Sequence, residues 1–378
     1  MKRPGSERRL SVLHVILALK PTNSQYNEHC LPVMDERDIT IVTYFKSVWG
    51  ITPPAAVALF DGDDTLRGFF RALRSALEAR AYDVIHVHTP HAGVLVPLAL
   101  LWYGLYRKLK PSTVHTVHNS FKSFQLRHQL MLMPGIALFQ QVVFCSKAAY
   151  ESFPRLYKWL AGDRASIVQN GVDIDRIDRV VSAQQVDREG PFTIATVGLI
   201  KIKNPFTVLE AFRQRAGPAS QLVFIGEGHL RPLLAAEVAG SGLQEQVQLT
   251  GLIPRDSVFE RFVQADLFAS ASYGEGLPVA VLEAMTCGVP VLLSDIPPHR
   301  EIAEGVDFIP LVKPDDVAGF AQEIAGFQDM APEQRADIGR RCRQLVEERF
   351  SLRAMHAGYM QVYAQIADGR ALYPEYVR

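Results

Sequence analysis

The sequence predicts an α/β protein made of two doubly wound domains. Three observations predict it. The chain has 378 residues, more than one hydrophobic core readily supports. Short apolar runs alternate with amphipathic stretches from end to end, which predicts parallel sheets covered by helices on both faces. A polar stretch, Ser182 to Gly190, interrupts the alternation, and the pattern then restarts.

The first half reads as follows. Lys2, Arg3, Arg8 and Arg9 precede the apolar run Val12–Leu19. That run is too short for a secretion signal and has no cleavage-like site, so it is the first strand. Ile39–Tyr44 is the next. Asp64 or Thr65 caps a helix whose apolar face is Leu66, Phe69, Phe70, Leu73 and Leu77. Val84–Val87, Thr113–Val117, Val142–Cys145 and Ala165–Val168 continue the strand series. Gly93 to Tyr106 is almost wholly apolar and is followed by Arg107, Lys108 and Lys110. It contains Pro97 and is too short to span a bilayer. Two readings stay open for it: a buried helix, or an interfacial surface with basic residues near anionic lipid head groups.

In the second half, Phe192–Val197, Gln221–Ile225, Val247–Thr250, Leu267–Ser270 and Val289–Leu293 read as strands with helices between them. The final helices run from about Pro332 to Ala367. There is no repeat, no low-complexity tract and no Gly-x-Gly-x-x-Gly fingerprint. The expected domains are 1–183 and 190–348, followed by 349–378. Doubly wound domains place a ligand at the strand C-terminal ends, here expected in the cleft between them.

Composition narrows the function. Apolar residues make up 48% and charged residues 21%, a globular balance. Formal net charge is zero, so no whole-molecule field favours nucleic acid. Cys30, Cys145, Cys287 and Cys342 are scattered and form no zinc set, which predicts reduced thiols in a cytosolic protein.

The most informative residues are Glu275 and Glu283, within Ser272-Tyr273-Gly274-Glu275-Gly276-Leu277-Pro278-Val279-Ala280-Val281-Leu282-Glu283-Ala284-Met285. Pro278 suits a first helical turn and Gly288 suits the far end. Glu275 then lies in the loop before a short helix and Glu283 lies inside it. At 1.5 Å of rise per residue they are roughly 12 Å apart, near the span from the sugar to the ribose of a nucleotide sugar. The helix N-terminus between them offers free N–H groups and a positive dipole end to a diphosphate.

These residues, with Gly-Leu-Pro, Leu-Glu-Ala-Met and Cys-Gly-Val-Pro-Val around them, resemble the Glu-x7-Glu motif of the family 4 glycosyltransferases, retaining enzymes of the GT-B fold. The resemblance implies two Rossmann-like domains facing a central cleft, with the last helix crossing back to the first domain. It implies that Glu283 accepts hydrogen bonds from the ribose hydroxyls. A carboxylate suits a vicinal diol because it offers two oxygens in one plane. Glu275, with the backbone N–H groups of Gly276 and Leu277, would face the donor sugar.

Val197-Gly198-Leu199-Ile200-Lys201-Ile202-Lys203-Asn204 is similar to the family's phosphate-binding stretch, with Lys203 at the family lysine. Fixed positive charge there would stabilise a diphosphate leaving group. The usual arginine after the glycine is replaced by Leu199, and Lys201 is a candidate to supply that charge. Phe224-Ile225-Gly226-Glu227-Gly228 resembles the turn beside the nucleoside pocket. Leu249-Thr250-Gly251-Leu252-Ile253-Pro254 resembles the segment that holds the base, and Gly226 and Ile253 are its candidate contacts.

The first domain contributes His86, His88 and His91, then His115 and His118. A metal site is the tempting reading, but parallel strand ends gather such residues at a cleft in any case, and no metal is expected. By resemblance His118 touches the transferred sugar, while His88 and His91 are acceptor-side or structural. Ser146 and Asn170-Gly171-Val172-Asp173 also match family positions; the latter reads mainly as a turn. The loop Lys20-Pro21-Thr22-Asn23-Ser24-Gln25-Tyr26-Asn27-Glu28-His29 lacks the glycine pair of many relatives. It either hydrogen-bonds a substrate or caps the next helix.

The implied activity is transfer of a sugar from a nucleotide sugar to an acceptor hydroxyl with retention, without metal or cofactor, in cell-surface polysaccharide or glycolipid synthesis. Expected partners are the nucleotide sugar and a sugar or lipid-linked acceptor, with no nucleic acid. The expected location is the cytoplasm, including the inner face of the plasma membrane. Two alternatives stand beside this: a nucleotide-sugar 2-epimerase, and a catalytically silent nucleotide-sugar binder.

Overall fold

The computed structural model of the protein describes residues 8–20, 23–47, 51–102, 112–184, 190–215, 217 and 219–366. The chain divides into two compact units, one made of Met1–Gln169 with Met355–Arg378 and the other of Asn170–Ala354.

The first unit holds a parallel sheet of β1 (Leu10–Ile16), β2 (Arg37–Thr43), β3 (Val57–Phe60), β4 (Val84–Val87), β5 (Ser112–Val117), β6 (Gln141–Phe144) and β7 (Ala165–Ile167). Their order is β3-β2-β1-β4-β5-β6-β7. Its helices are α1 (Ser24–His29), α2 (Leu66–Ala79), α3 (Pro90–Trp102), α4 (Leu126–Leu138), α5 (Lys147–Glu151) and α6 (Arg155–Ala161). The second unit carries α7 (Ile174–Val181), β8 (Thr193–Val197), α8 (Pro205–Arg215), β9 (Gln221–Ile225), α9 (Arg231–Gly240) and β10 (Val247–Leu249). It continues through α10 (Arg255–Val263), β11 (Leu267–Ser270), α11 (Val279–Thr286), β12 (Val291–Ser294), α12 (Pro297–Ile302) and β13 (Leu311–Val312). The last helices are α13 (Val317–Asp329), α14 (Pro332–Arg349) and α15 (Leu352–Ile366). Its strand order is β10-β9-β8-β11-β12-β13, all parallel.

Both sheets reverse direction of growth once, between β1 and β4 and between β8 and β11. At such a switch point adjacent loops diverge to opposite faces and leave a crevice at the strand C-termini. Most residues of the central strands are buried because both faces are covered. β11 and β12, for example, are buried at every residue. Amphipathic helices do the covering. In α2, Phe69, Leu73 and Leu77 face inward, and burying each such side chain contributes about 1.5–3 kcal/mol. Thr65 caps this helix by accepting the Gly68 N–H, while Asp64 adopts a left-handed conformation just before it.

Several sequence expectations are corrected. β3 and β13 escaped notice: β3 has one fully buried residue and follows two prolines, and β13 is two residues long. Pro278 is the residue before α11 rather than part of its first turn. Gly288 does sit past the helix end with φ of 73°. The division between units falls at Gln169, ahead of the polar stretch 182–190, because α7 packs into the core of the second unit through Ile177. Residues 185–189 of that stretch lie outside the described residues, as does Ala367.

The last division falls inside α15. From Met355 on, this helix belongs to the first unit. Its Tyr363 hydroxyl contacts His86 Nδ1 at 2.8 Å, and its His356 contacts the Glu28 carbonyl at 2.7 Å.

Candidate functional site

In the second unit, Lys203 and Glu275 meet because their loops leave the two strands that flank the switch point. β8 ends at Val197, and Gly198 turns the chain with φ of 82°, a conformation glycine adopts without steric cost. A Cβ at Gly198 would also press on the Lys203 side chain at 3.1 Å. A short 3-10 turn, Lys201–Lys203, then leads into α8, and Asn204 anchors it by donating to Thr207 Oγ1 and the Pro314 carbonyl. From the neighbouring strand β11 comes Ser272, then Glu275. Nζ of Lys203 lies 2.7 Å from Oε1 of Glu275, and Ser272 Oγ donates to the same oxygen at 2.7 Å. Glu275 is buried. Burial raises its pKa, but the Lys203 charge and the hydrogen bonds outweigh that, and the net shift is downward.

Glu283 lies inside α11 and is buried. Its carboxylate is ion-paired with Arg255 at the start of α10. Burial nevertheless dominates and raises the Glu283 pKa, with Arg255 offsetting part of the effect. Arg255 stacks over the Phe259 ring, as does Arg176, and Arg176 pairs with Asp256 at 2.8 Å. Thus each motif glutamate is held by its own cation.

The other expected residues fall around this pair. Leu277 is buried, and its carbonyl accepts from Asn170 Nδ2 at 2.9 Å. Asn170 therefore ties down the glutamate loop and does more than form a turn; Asp173 caps α7. The Gly226 N–H donates to the Gly251 carbonyl, which joins segments 224–228 and 249–254. Ile253 is half-buried against the core, Gly276 is buried, and Lys201 is exposed.

Sequence reasoning missed Arg255, Ser272 and His299. His299 is fully buried, with Nδ1 2.8 Å from the Ser294 carbonyl. That nitrogen must donate, so Nε2 is a bare acceptor, and it has no hydrogen-bond partner among the described residues. Burial lowers the His299 pKa to about 4, against an upward pull from Glu275. Only a fold brings Arg255 to Glu283 or His299 near Glu275; no spacing rule connects them.

In the first unit, His88 and His118 lie just past β4 and β5. His88 is buried, His118 half-buried, and His88 Nδ1 lies 3.0 Å from His118 Nε2. His115 is buried between α3 and α4, where a Cβ on Gly93 or Gly135 would strike its ring at 2.9 and 2.6 Å. It is a packing residue. His91 packs edge-on against His128. Ser146 is a helix cap. The loop after β1 caps α1 through Asn23, and it also lines an open pocket of about 480 Å³. Lys20, Asn23, Gln25, Lys46 and Thr89 line that pocket; Pro21 and Thr22 lie outside the described residues.

The apolar segment resolves into a helix with two characters. Gly93, Val96, Ala99 and Leu100 of α3 are buried, whereas Leu98, Leu101 and Trp102 are exposed. Residues 103–110, including Arg107, Lys108 and Lys110, lie outside the described residues. No helix among the described residues is long and apolar enough to cross a membrane.

Residues 15–176 match the family described as Glycosyltransferase Family 4, and residues 179–345 match that described as Glycosyl transferases group 1. The chain belongs to the family 4 glycosyltransferases. It is 24% identical over 242 residues to the UDP-Gal:alpha-D-GlcNAc-diphosphoundecaprenol alpha-1,3-galactosyltransferase of Escherichia coli, covering 60% of this chain and 61% of that one. It is 26% identical over 275 residues to the GDP-mannose:cellobiosyl-diphosphopolyprenol alpha-mannosyltransferase of Xanthomonas campestris, covering 69% and 68%. The chain thus spans about three fifths of the length of the first of these relatives.

Among solved structures, the sucrose-phosphate synthase of Thermosynechococcus elongatus superposes with a TM-score of 0.78 at 16% identity, covering 94% of this chain and 99% of that one. HepE of Anabaena, in complex with UDP and glucose, gives 0.74 at 17%, covering 94% and 100%. The fold of this family 4 glycosyltransferase is therefore GT-B, with two Rossmann-like parallel-sheet units.

Proposed function

We propose that the protein transfers a sugar from a nucleotide sugar to an acceptor hydroxyl with retention at the anomeric carbon. One observation carries the reading: Lys203 and Glu275 are paired at the β8/β11 switch point, with Glu283 on the helix that follows. Glu283 holds the ribose diol, Glu275 the donor sugar, and Lys203 the diphosphate. Gly198, Gly226, Ile253, Gly276 and Leu277 supply close backbone approach, and Lys201 adds charge. His118 of the first unit is assigned to the transferred sugar by family resemblance.

The acceptor oxygen attacks the anomeric carbon on the face that the diphosphate leaves. The carbon–oxygen bond to phosphate breaks as the new one forms, and the acceptor proton passes to the departing phosphate. Lys203 stabilises the charge that develops there, a task fixed cations perform without reorganisation. No metal is required in this scheme, so chelators should leave the rate unchanged.

The acceptor is assigned to the first unit. The pocket lined by Lys20 and Lys46 suits an anionic acceptor such as a diphosphate-linked lipid. Leu98, Leu101 and Trp102, spaced along one side of α3, and Leu126 and Leu130 of α4 are exposed. Such apolar residues at helical spacing favour contact with a membrane surface. A place at the cytoplasmic face of the membrane, in surface polysaccharide or glycolipid synthesis, follows from this reading. The relatives named above act on diphosphopolyprenol acceptors by name, which supports it.

Thermal shift against a panel of nucleotide sugars tests the donor, since a ligand of the folded state raises apparent stability by mass action. Incubation with the selected donor and no acceptor tests the epimerase alternative, because an epimerase converts it unaided. Neither donor hydrolysis nor transfer with any acceptor would leave only a silent binder.

A further inference from the structure

Three imidazoles of the first unit stand in one hydrogen-bonded line. His14 Nδ1 lies 2.9 Å from His88 Nε2, and His88 Nδ1 lies 3.0 Å from His118 Nε2. The ring planes differ by only 18° and 24° across the two links, and the ring centres are 5.2 and 5.3 Å apart. Each separation equals the nitrogen–nitrogen distance plus one ring radius at either end. The facing nitrogens therefore lie on the line between ring centres, and each link is an in-plane N–H···N bond.

A metal ion is the competing explanation, because nitrogens of His14, His86 and His88, and of His29, His88 and His118, lie within 4.8 Å of one another. Imidazole nitrogens sit about 2.0–2.1 Å from zinc, so two aimed at each other would need about 4 Å between them. The observed gaps are about 1 Å too short for that. His86 is also committed elsewhere: Nδ1 contacts the Tyr363 hydroxyl at 2.8 Å and Nε2 contacts Thr116 Oγ1 at 2.7 Å.

His14 and His88 are almost fully buried. Burial, and after it Arg37 for His14 and the crowd of neighbouring imidazoles for His88, holds their pKa values well below 6.5, so the rings are neutral at pH 7. A neutral imidazole carries one donor and one acceptor nitrogen. If His14 donates to His88 Nε2, the His88 proton is on Nδ1 and is donated to His118 Nε2, which leaves the His118 proton on Nδ1. In the opposite arrangement His118 carries its proton on Nε2 and both links reverse together. The two links cannot point in conflicting directions without a bare pair or a proton clash.

We propose that His14 and His88 are positioning residues that fix which ring nitrogen of His118 carries its proton. The consequence for transfer rests on the assignment of His118 to the transferred sugar: the line decides whether His118 offers the sugar a donor or an acceptor. The line itself does not depend on that assignment.

Nitrogen-15 imidazole NMR of the full chain at pH 7.5 tests the proposal without any activity readout. The wild type should show through-bond couplings between His14 Nδ1 and His88 Nε2 and between His88 Nδ1 and His118 Nε2. His118 should have one tautomer, with widely separated protonated and bare nitrogen resonances. In His14→Phe that separation should collapse toward its average. In His29→Phe it should persist, because His29 packs edge-on against His118 at 5.7 Å but lies off the line. Missing couplings in the wild type overturn the proposal whether or not the variants fold. So does an unchanged His118 tautomer in His14→Phe, an equal change in both variants, or stoichiometric binding of added zinc by these rings.

Discussion

Lys203 Nζ and Glu275 Oε1 are 2.7 Å apart, with the lysine side chain 22% exposed and the glutamate side chain 9% exposed. The two charges neutralise each other, and on the proposed reading a donor diphosphate would compete with Glu275 for the Lys203 ammonium. Lys203→Met should lower kcat by about 10²-fold, the scale of losing one transition-state donor. It should also destabilise the protein by about 3 kcal/mol, because a buried carboxylate is left uncompensated. Lys203→Met with Glu275→Gln should regain most of that stability but none of the activity. Urea unfolding and steady-state kinetics on the three proteins separate the effects; equal recovery of both would make the pair purely structural.

Glu283 behaves differently because burial raises its pKa despite Arg255. Only the carboxylate accepts two diol hydrogen bonds. Donor affinity should therefore fall as pH drops through the raised pKa. Arg255→Met removes the cation that restrains the shift, so the midpoint should move to higher pH while kcat at saturating donor changes little. Donor KM measured across pH checks this, and a pH-independent KM in both proteins would contradict it.

Buried histidines make the fold sensitive to acid. His14 is lowered to about 3, and His115, His299 and His356 to about 4, each chiefly by burial. Below 6.5 the unfolded chain binds protons that these folded groups refuse. Their stability contribution is complete above that value and is lost as pH falls toward the folded pKa values. Stability should be flat near neutral pH, decline steeply below 6.5, and vanish at about pH 4–5. Urea midpoints between pH 8 and 4 would show it, and equal midpoints at pH 7 and 5 would refute it.

The exposed face of α3 should govern membrane contact. Leu101→Ser with Trp102→Ser removes two of its most exposed apolar side chains, 75% and 78% exposed. Vesicle affinity in cosedimentation with anionic vesicles should drop by roughly 30-fold or more, since the two side chains together contribute roughly 2–4 kcal/mol. Thermal stability and turnover of a soluble acceptor should not change. Undiminished cosedimentation would place any membrane contact elsewhere.

Most of the architecture was legible because parallel strands buried on both faces leave unbroken apolar runs, as in Gln221–Ile225 and Leu267–Ser270, whose bounds match β9 and β11. β3 and β13 were not legible, since an edge strand needs little apolar content. The positions of Glu275 before α11 and Glu283 within it could be read from Pro278 and Gly288. Their partners could not. Lys203 was visible as a charge at a strand end, but its pairing with Glu275 depends on strand order, which puts β8 beside β11. Arg255 sits at a helix start with nothing in its local sequence to mark it, and the histidine line is assembled from His14 in β1 and from residues just past β4 and β5, its linked partners lying 74 and 30 positions apart. For the apolar run that holds Leu101 and Trp102 both a buried helix and an interfacial surface stayed open, because composition does not say which side of a helix is covered; packing shows these two exposed.

Calorimetric titration of the wild type and Glu283→Ala with UDP, GDP and ADP tests the central claim most directly. At least one nucleoside diphosphate should bind the wild type, and Glu283→Ala should weaken it by tenfold or more, about 1.4 kcal/mol. Equal affinity in the two proteins, or no binding of any nucleotide to the wild type, would contradict the account.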